Sequence, residues 1–151
     1  MKLSSELLKF DIFNSSIDDL REALDSGVVS VVELTLIYMI RIARYDRANT
    51  NLNSIIMLNK DIFNQAEKLD KLLRAGKKIS QLHGIPFTLK NNYKVEGENV
   101  SAGSPAFRNL VANSDASVVK FLKESGAILI GRTSMPPMAA GGLQRGLHGR
   151  A

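Results

Sequence analysis

Two short apolar runs, IPFTLK at 85–90 and AILIG at 127–131, constrain this chain most, because one amphipathic stretch, DASVVKFLKESG, separates them. Short continuous apolar runs of this length suit strands buried on both faces of a parallel sheet. Strand, helix and strand in that order predict a right-handed crossover, which needs helices to cover the sheet. The upstream half supplies them. Ser16 is placed to cap IDDLREALDSG, with Gly27 as its stop. Ser30 and Glu33 have capping-box spacing ahead of SVVELTLIYMIRIARYDR, whose Val32, Leu36, Met39, Ile40 and Ala43 fall at helical intervals. LNSIIML (52–58) reads as a short strand. KDIFNQAEKLDKLLRAG (60–76) reads as a helix with Ile62, Phe63, Ala66, Leu69, Leu72 and Leu73 facing inward and Gly76 ending it.

The expected fold class is therefore α/β: N-terminal helices (1–80), then part of a mostly parallel sheet with covering helices (81–151) and a Gly/Pro-rich tail. Within that second part, VEGENVSAGSPA reads as a polar loop. The next helix should be capped near Ser114, with Val118, Val119 and Leu122 as its core side. Two or three strands cannot bury both faces of such a sheet, so residues 1–151 are expected to form a single, incomplete domain.

Composition narrows the function. The 151 residues contain no cysteine, which excludes disulfides and thiolate zinc sites and fits a cytoplasmic protein. No apolar run approaches the roughly 18 residues of a membrane span, and MKLSSELLKFDIF lacks the long apolar core of a secretory signal. No membrane partner is expected. The net charge of +5 is partly local, at Lys68, Lys71, Arg74, Lys77 and Lys78. Glu67 and Asp70 interrupt that run, and cations suit a helix C-terminus, so it reads as a solvated helix end and not a nucleic-acid surface. His83 and His148 are far apart and lack ligand partners, so neither a metal nor a cofactor is expected.

The chemistry concentrates at the end of the first strand. Alternation puts Ile85, Phe87 and Leu89 on one face and Thr88 and Lys90 on the other. Lys90 then stands at the C-terminal rim, where open α/β sheets place their ligand crevices. A lysine partly desolvated there loses preference for its charged form, and a neutral amine is a usable general base. From position alone, the favoured reading is a lysine reaching to solvent from a strand end.

LHGIPFTLKNN (82–92), SAGSPAF (101–107) and DASVVKFLKESGAILIGRTSM (115–135), in that order, resemble the first part of the amidase signature family. VVELTLIYMIRIARYD and LNSIIMLNKDIFNQAEKLD are similar to its N-terminal helices, so the resemblance runs from about residue 17 to 151. It implies amide hydrolysis by a Ser–Ser–Lys mechanism, with Lys90 as the lysine and a small-molecule amide as substrate of the complete enzyme. It also places the MAAGGLQRG loop along the substrate pocket, with Ala139, Ala140 and Gly141 as lining; a plain loop is the other reading of that stretch. The family's Lys-Asp-Asn is Lys90-Asn91-Asn92 here, and its Lys-Thr-Asn is Arg132-Thr133-Ser134. The Gly-Gly-Ser-Ser-Gly-Gly segment that carries the family's catalytic serines does not occur in these residues. Ser101 and Ser104 read as turn chemistry and not as replacements, and Met135 and Met138 as packing residues.

Three functions are consistent with this reading: the lysine-bearing part of an amidase, inactive alone; part of the A subunit of a tRNA-dependent amidotransferase; or a non-catalytic interaction module. A sheet short of partners also makes homo-oligomerisation through an exposed sheet edge or apolar face an expectation.

Overall fold

The computed structural model describes residues 11–48 and 52–140; Gly141 and His148 lie outside them. Helix α1 (Ile17–Asp25) and helix α2 (Val31–Arg41) begin at the predicted caps Ser16 and Ser30, and both caps are reciprocal, as predicted for α2 alone. The Ser16 hydroxyl accepts from Asp19 N–H at 3.2 Å while the Asp19 carboxylate accepts from Ser16 N–H at 2.7 Å. Ser30 and Glu33 repeat the exchange at 3.1 and 2.9 Å. Each exchange satisfies N–H groups that a helix start leaves orphaned.

A second carboxylate reinforces α2. Asp70, buried on helix α3 (Ile62–Arg74), accepts from Val31 N–H at 2.7 Å and Val32 N–H at 3.2 Å. It brings a negative charge to the positive end of α2, and so pins α2 against α3. Beyond Arg41 the predicted single helix changes character: Ile42–Ala48 is π-helical. Within it Asp46 is buried and accepts from the backbone N–H groups of Ser54 (2.6 Å) and Ile55 (3.2 Å) and from the Ser54 hydroxyl. That carboxylate fixes the entry of strand β1 (Ile55–Leu58).

Strand β2 (Pro86–Lys90), helix α4 (Ser117–Glu124) and strand β3 (Ile128–Thr133) form the expected crossover. The sheet order is β1-β3-β2, with β2 parallel and β1 antiparallel to β3. The α/β fold class holds, and the sheet is mixed. Ile128 and Ile130 pack into the larger core with Leu20, Leu24, Val31, Leu34, Ile62 and Ala66. Leu129 turns the other way, to Leu89, Val95 and Val119.

Several expected core positions differ. Ile85 does not share a face with Phe87 and Leu89: it joins the larger core, while they join the smaller one. It precedes β2 and follows Gly84, whose φ of +77° turns the chain, so strand alternation does not reach it. Phe63 is 40% exposed, because the inward face of α3 is set by Ile62, Ala66, Leu69 and Leu73. Helix α4 starts at Ser117 with Ala116 as a cap lacking any side-chain bond, and Ser114 instead accepts from Lys94 Nζ. That start directs Val119 inward and leaves Val118 46% exposed. On α2 the buried positions are Val31, Leu34 and Thr35, whereas Leu36 and Ile40 are exposed.

Two stability measurements follow. Asp70→Ala should cost about 1–2 kcal/mol, the scale of a lost helix cap, read by denaturant unfolding. The Asp46 carboxyl is raised by burial but held below its ordinary value overall by the Ser54 hydroxyl and the N–H groups of Ser54 and Ile55. Its contribution is therefore complete above the unfolded-state value of about 3.9 and disappears as pH falls through the lower folded value. Acid titration of stability should be less steep in that window for Asp46→Asn than for the unmodified chain.

Candidate active site

Lys90 is the last residue of β2 and stands opposite Thr133 at the C-terminal ends of the two parallel strands. Its Nζ donates to the Ser134 carbonyl at 2.9 Å, and no carboxylate among the described residues pairs with it. The expected partial desolvation is absent: the side chain is exposed. Among the described residues β2 is an edge strand, and no neighbouring strand covers that side of the rim.

Three segments meet beside Lys90. Asn91 N–H donates to the Thr133 carbonyl at 3.1 Å, Ala102 N–H to the Asn91 carbonyl at 3.0 Å, and Met138 N–H to the Ala102 carbonyl at 2.8 Å. The Asn91 side chain, 1% exposed, donates from Nδ2 to the fully buried Ser101 hydroxyl at 2.6 Å. Its Oδ1 is buried without a partner among the described residues. Ser101 is thus more than turn chemistry. Ser104 does serve a turn, accepting from Ala106 N–H at 3.3 Å. Gly103, at φ +70°, lies so close to Met135 and Pro136 that a Cβ would stand 2.9 Å from the Pro136 carbonyl oxygen.

Ala139 and Ala140 are exposed on the far side of this junction, at the end of the short 3-10 turn Pro137–Ala139. Met135 is buried as expected of a packing residue, whereas Met138 is exposed with φ +55°. The turn inverts the backbone there and carries the side chain outward.

Arg132 is a residue whose importance sequence reasoning missed. It is 1% exposed, bonded to the Glu98 carboxylate at 3.0 Å, and it also donates to the Tyr93 carbonyl. The cation holds the loop after Lys90 down on the sheet. An arginine inside an otherwise apolar strand was the available signal. His83 is fully buried, with Nε2 3.0 Å from the Leu69 carbonyl and Nδ1 accepting from Ile79 N–H at 3.3 Å. Both nitrogens are used structurally, as the Nε2–H tautomer. No cluster of three or more metal-ligating side chains occurs among the described residues, and no helix among them is long and apolar enough to cross a membrane. A cavity of about 460 Å³ lies away from Lys90, between Gln65, Lys68 and Leu69 on α3 and Val95, Glu96 and Leu129.

The chain has counterparts among known proteins. Residues 36–144 fit the family model described as amidase. The chain belongs to the amidase family. The indoleacetamide hydrolase of Bradyrhizobium diazoefficiens is 35% identical to this amidase-family chain, over 93% of the chain and 27% of the relative. The A component of the glutamyl-tRNA(Gln) amidotransferase of Aromatoleum aromaticum is also 35% identical, over 91% of the chain and 27% of that relative. The crystal structure of the native peptide amidase from Stenotrophomonas maltophilia superposes with a TM-score of 0.77 at 33% identity, covering 82% of this chain and 25% of that one. The chain spans about a quarter of the length of the curated relatives it matches.

Because the Lys90 side chain is exposed and bears no ion pair among the described residues, Lys90→Met should leave unfolding within about 0.5 kcal/mol of the unmodified chain. Thermal and denaturant melts of the two proteins test this, and agreement makes any functional loss at this position interpretable as chemistry.

Proposed function

We propose that this chain is the lysine-bearing part of an amide hydrolase in which Lys90 is the general base of a Ser–Ser–Lys relay. The observation that carries the reading is the placement of Lys90 at the C-terminal end of β2, its amine free of any carboxylate among the described residues. In the relay, the neutral amine takes a proton from a bridging serine, which takes one from the nucleophilic serine as that oxygen attacks the amide carbon. The tetrahedral intermediate collapses to an acyl-enzyme as the proton held by Lys90 returns through the bridging serine to the departing amine, leaving Lys90 neutral again. Water then hydrolyses the ester. Ala139, Ala140 and Gly141 belong to the loop that lines the amide pocket in this reading.

Both serines come from a glycine-rich segment that does not occur in these 151 residues. The chain by itself is therefore inactive: no fluorophosphonate labelling and no ammonia release from indoleacetamide or glutamine above a heat-treated control. Either signal would refute that part of the proposal. The base is tested in an enzyme completed with a family serine segment. Lys90→Ala and Lys90→Arg should each lower turnover by about 10²- to 10⁴-fold, the usual contribution of a general base. Arginine keeps the charge but cannot take the proton, so near-normal turnover of Lys90→Arg would exclude the base role.

A second reading rests on the similarity to the A components of tRNA-dependent amidotransferases. It is separated from the first by asking whether ammonia release from glutamine by the completed enzyme depends on charged tRNA and a second protein component. Release without either favours the free-standing amidase.

A further inference from the structure

We propose that Asn91 and Ser101 are positioning residues: their buried amide–hydroxyl bond locks the loop at 101–103 against the strand end, and this lock sets the geometry of the Lys90 amine. The inference rests on the reading of Lys90 as the base.

The connectivity around the amine is closed. The amine of Lys90 has one hydrogen-bond partner among the described residues, the Ser134 carbonyl. Both ends of that bond are held by the same junction. On the strand side, Asn91 follows Lys90 directly and is tied to the loop twice, by Nδ2 to Ser101 Oγ at 2.6 Å and by its carbonyl from Ala102 N–H at 3.0 Å. On the carbonyl side, Ser134 lies between Thr133, which accepts from Asn91 N–H at 3.1 Å, and Met135, against which Gly103 is packed. The triangle closes through Met138 N–H to the Ala102 carbonyl at 2.8 Å. Removing the Asn91–Ser101 bond takes away the one side-chain tie of the triangle and leaves that side to the single backbone bond from Ala102 N–H. Both groups are too buried for water to replace the lost partner freely, so the junction must rearrange.

The same tie is open to either an amide or a carboxylate at residue 91. A carboxylate in place of the amide accepts from the Ser101 hydroxyl across the same gap, so amide and carboxylate both close the tie. An apolar residue of similar size does not.

The test is the residue-resolved acetylation rate of the folded 151-residue chain, with Lys90 normalised to Lys120 on α4 and read by peptide mass spectrometry. Ser101→Ala and Asn91→Leu should each raise the Lys90:Lys120 ratio about two- to tenfold, the factor that one hydrogen bond controls. Asn91→Asp should restore the original ratio, and Ser104→Ala, on the same loop but outside the tie, should leave it unchanged. An unchanged ratio in Ser101→Ala would overturn the proposal. So would a parallel rise at every lysine in that variant, because the bond would then hold the domain and not the amine. Should Asn91→Leu fail to fold, Ser101→Ala alone decides. The readout involves no turnover, so its failure is distinct from failure of the base reading, which Lys90→Arg tests in a completed enzyme.

Discussion

Strand β3 is the member on which the other elements depend. It alone in the sheet is paired on both sides, antiparallel to β1 and parallel to β2. Its side chains serve both cores in alternation, Ile128 and Ile130 toward α1, α2 and α3, and Leu129 toward α4. A strand used in this way must be apolar on both faces, which is why its sequence is a continuous run and not an alternating one. Its end and the residue beyond it, Arg132 to Ser134, provide in turn the guanidinium that fastens the loop, the partner of Lys90 in the register, and the carbonyl that receives the lysine amine.

Much of this was legible in the sequence, and the reasons are local. Ser16 announced one helix start as a cap and Ser30–Glu33 another as a capping box, because such signals need residues only three apart. The strand–helix–strand order gave the parallel pair, and the end of IPFTLK gave the place of Lys90. What failed was the choice of face. Helix α2 is apolar almost all round, so periodicity could not tell Leu34 from Leu36, and only the packing of α3 against it decides. The assignment of Ile85 to the face of Phe87 and Leu89 failed because Ile85 follows a positive-φ glycine and precedes the strand, where alternation does not hold.

The junction beside Lys90 was illegible for a different reason. Asn91, Ser101 and Met138 are separated by ten and thirty-seven positions in turn and meet only through a loop whose course is set by backbone bonds. A serine in SAGS has many turn uses, and nothing local distinguishes the buried Ser101 from the less buried Ser104. Arg132 belongs to the same category. Its charge is acceptable in the interior only because Glu98 and the Tyr93 carbonyl arrive from a loop more than thirty residues upstream.

The sheet order carries a consequence for Lys90 itself. The amine stands at the end of β2, whose outer edge has no strand beside it among the described residues. An adjoining strand would run about 4.8 Å away, near enough for its side chains to cover the exposed lysine. The dielectric around this lysine is therefore not written into the strand that carries it. How enclosed this residue is depends on what lies along the outer edge of β2 as much as on the strand that carries it.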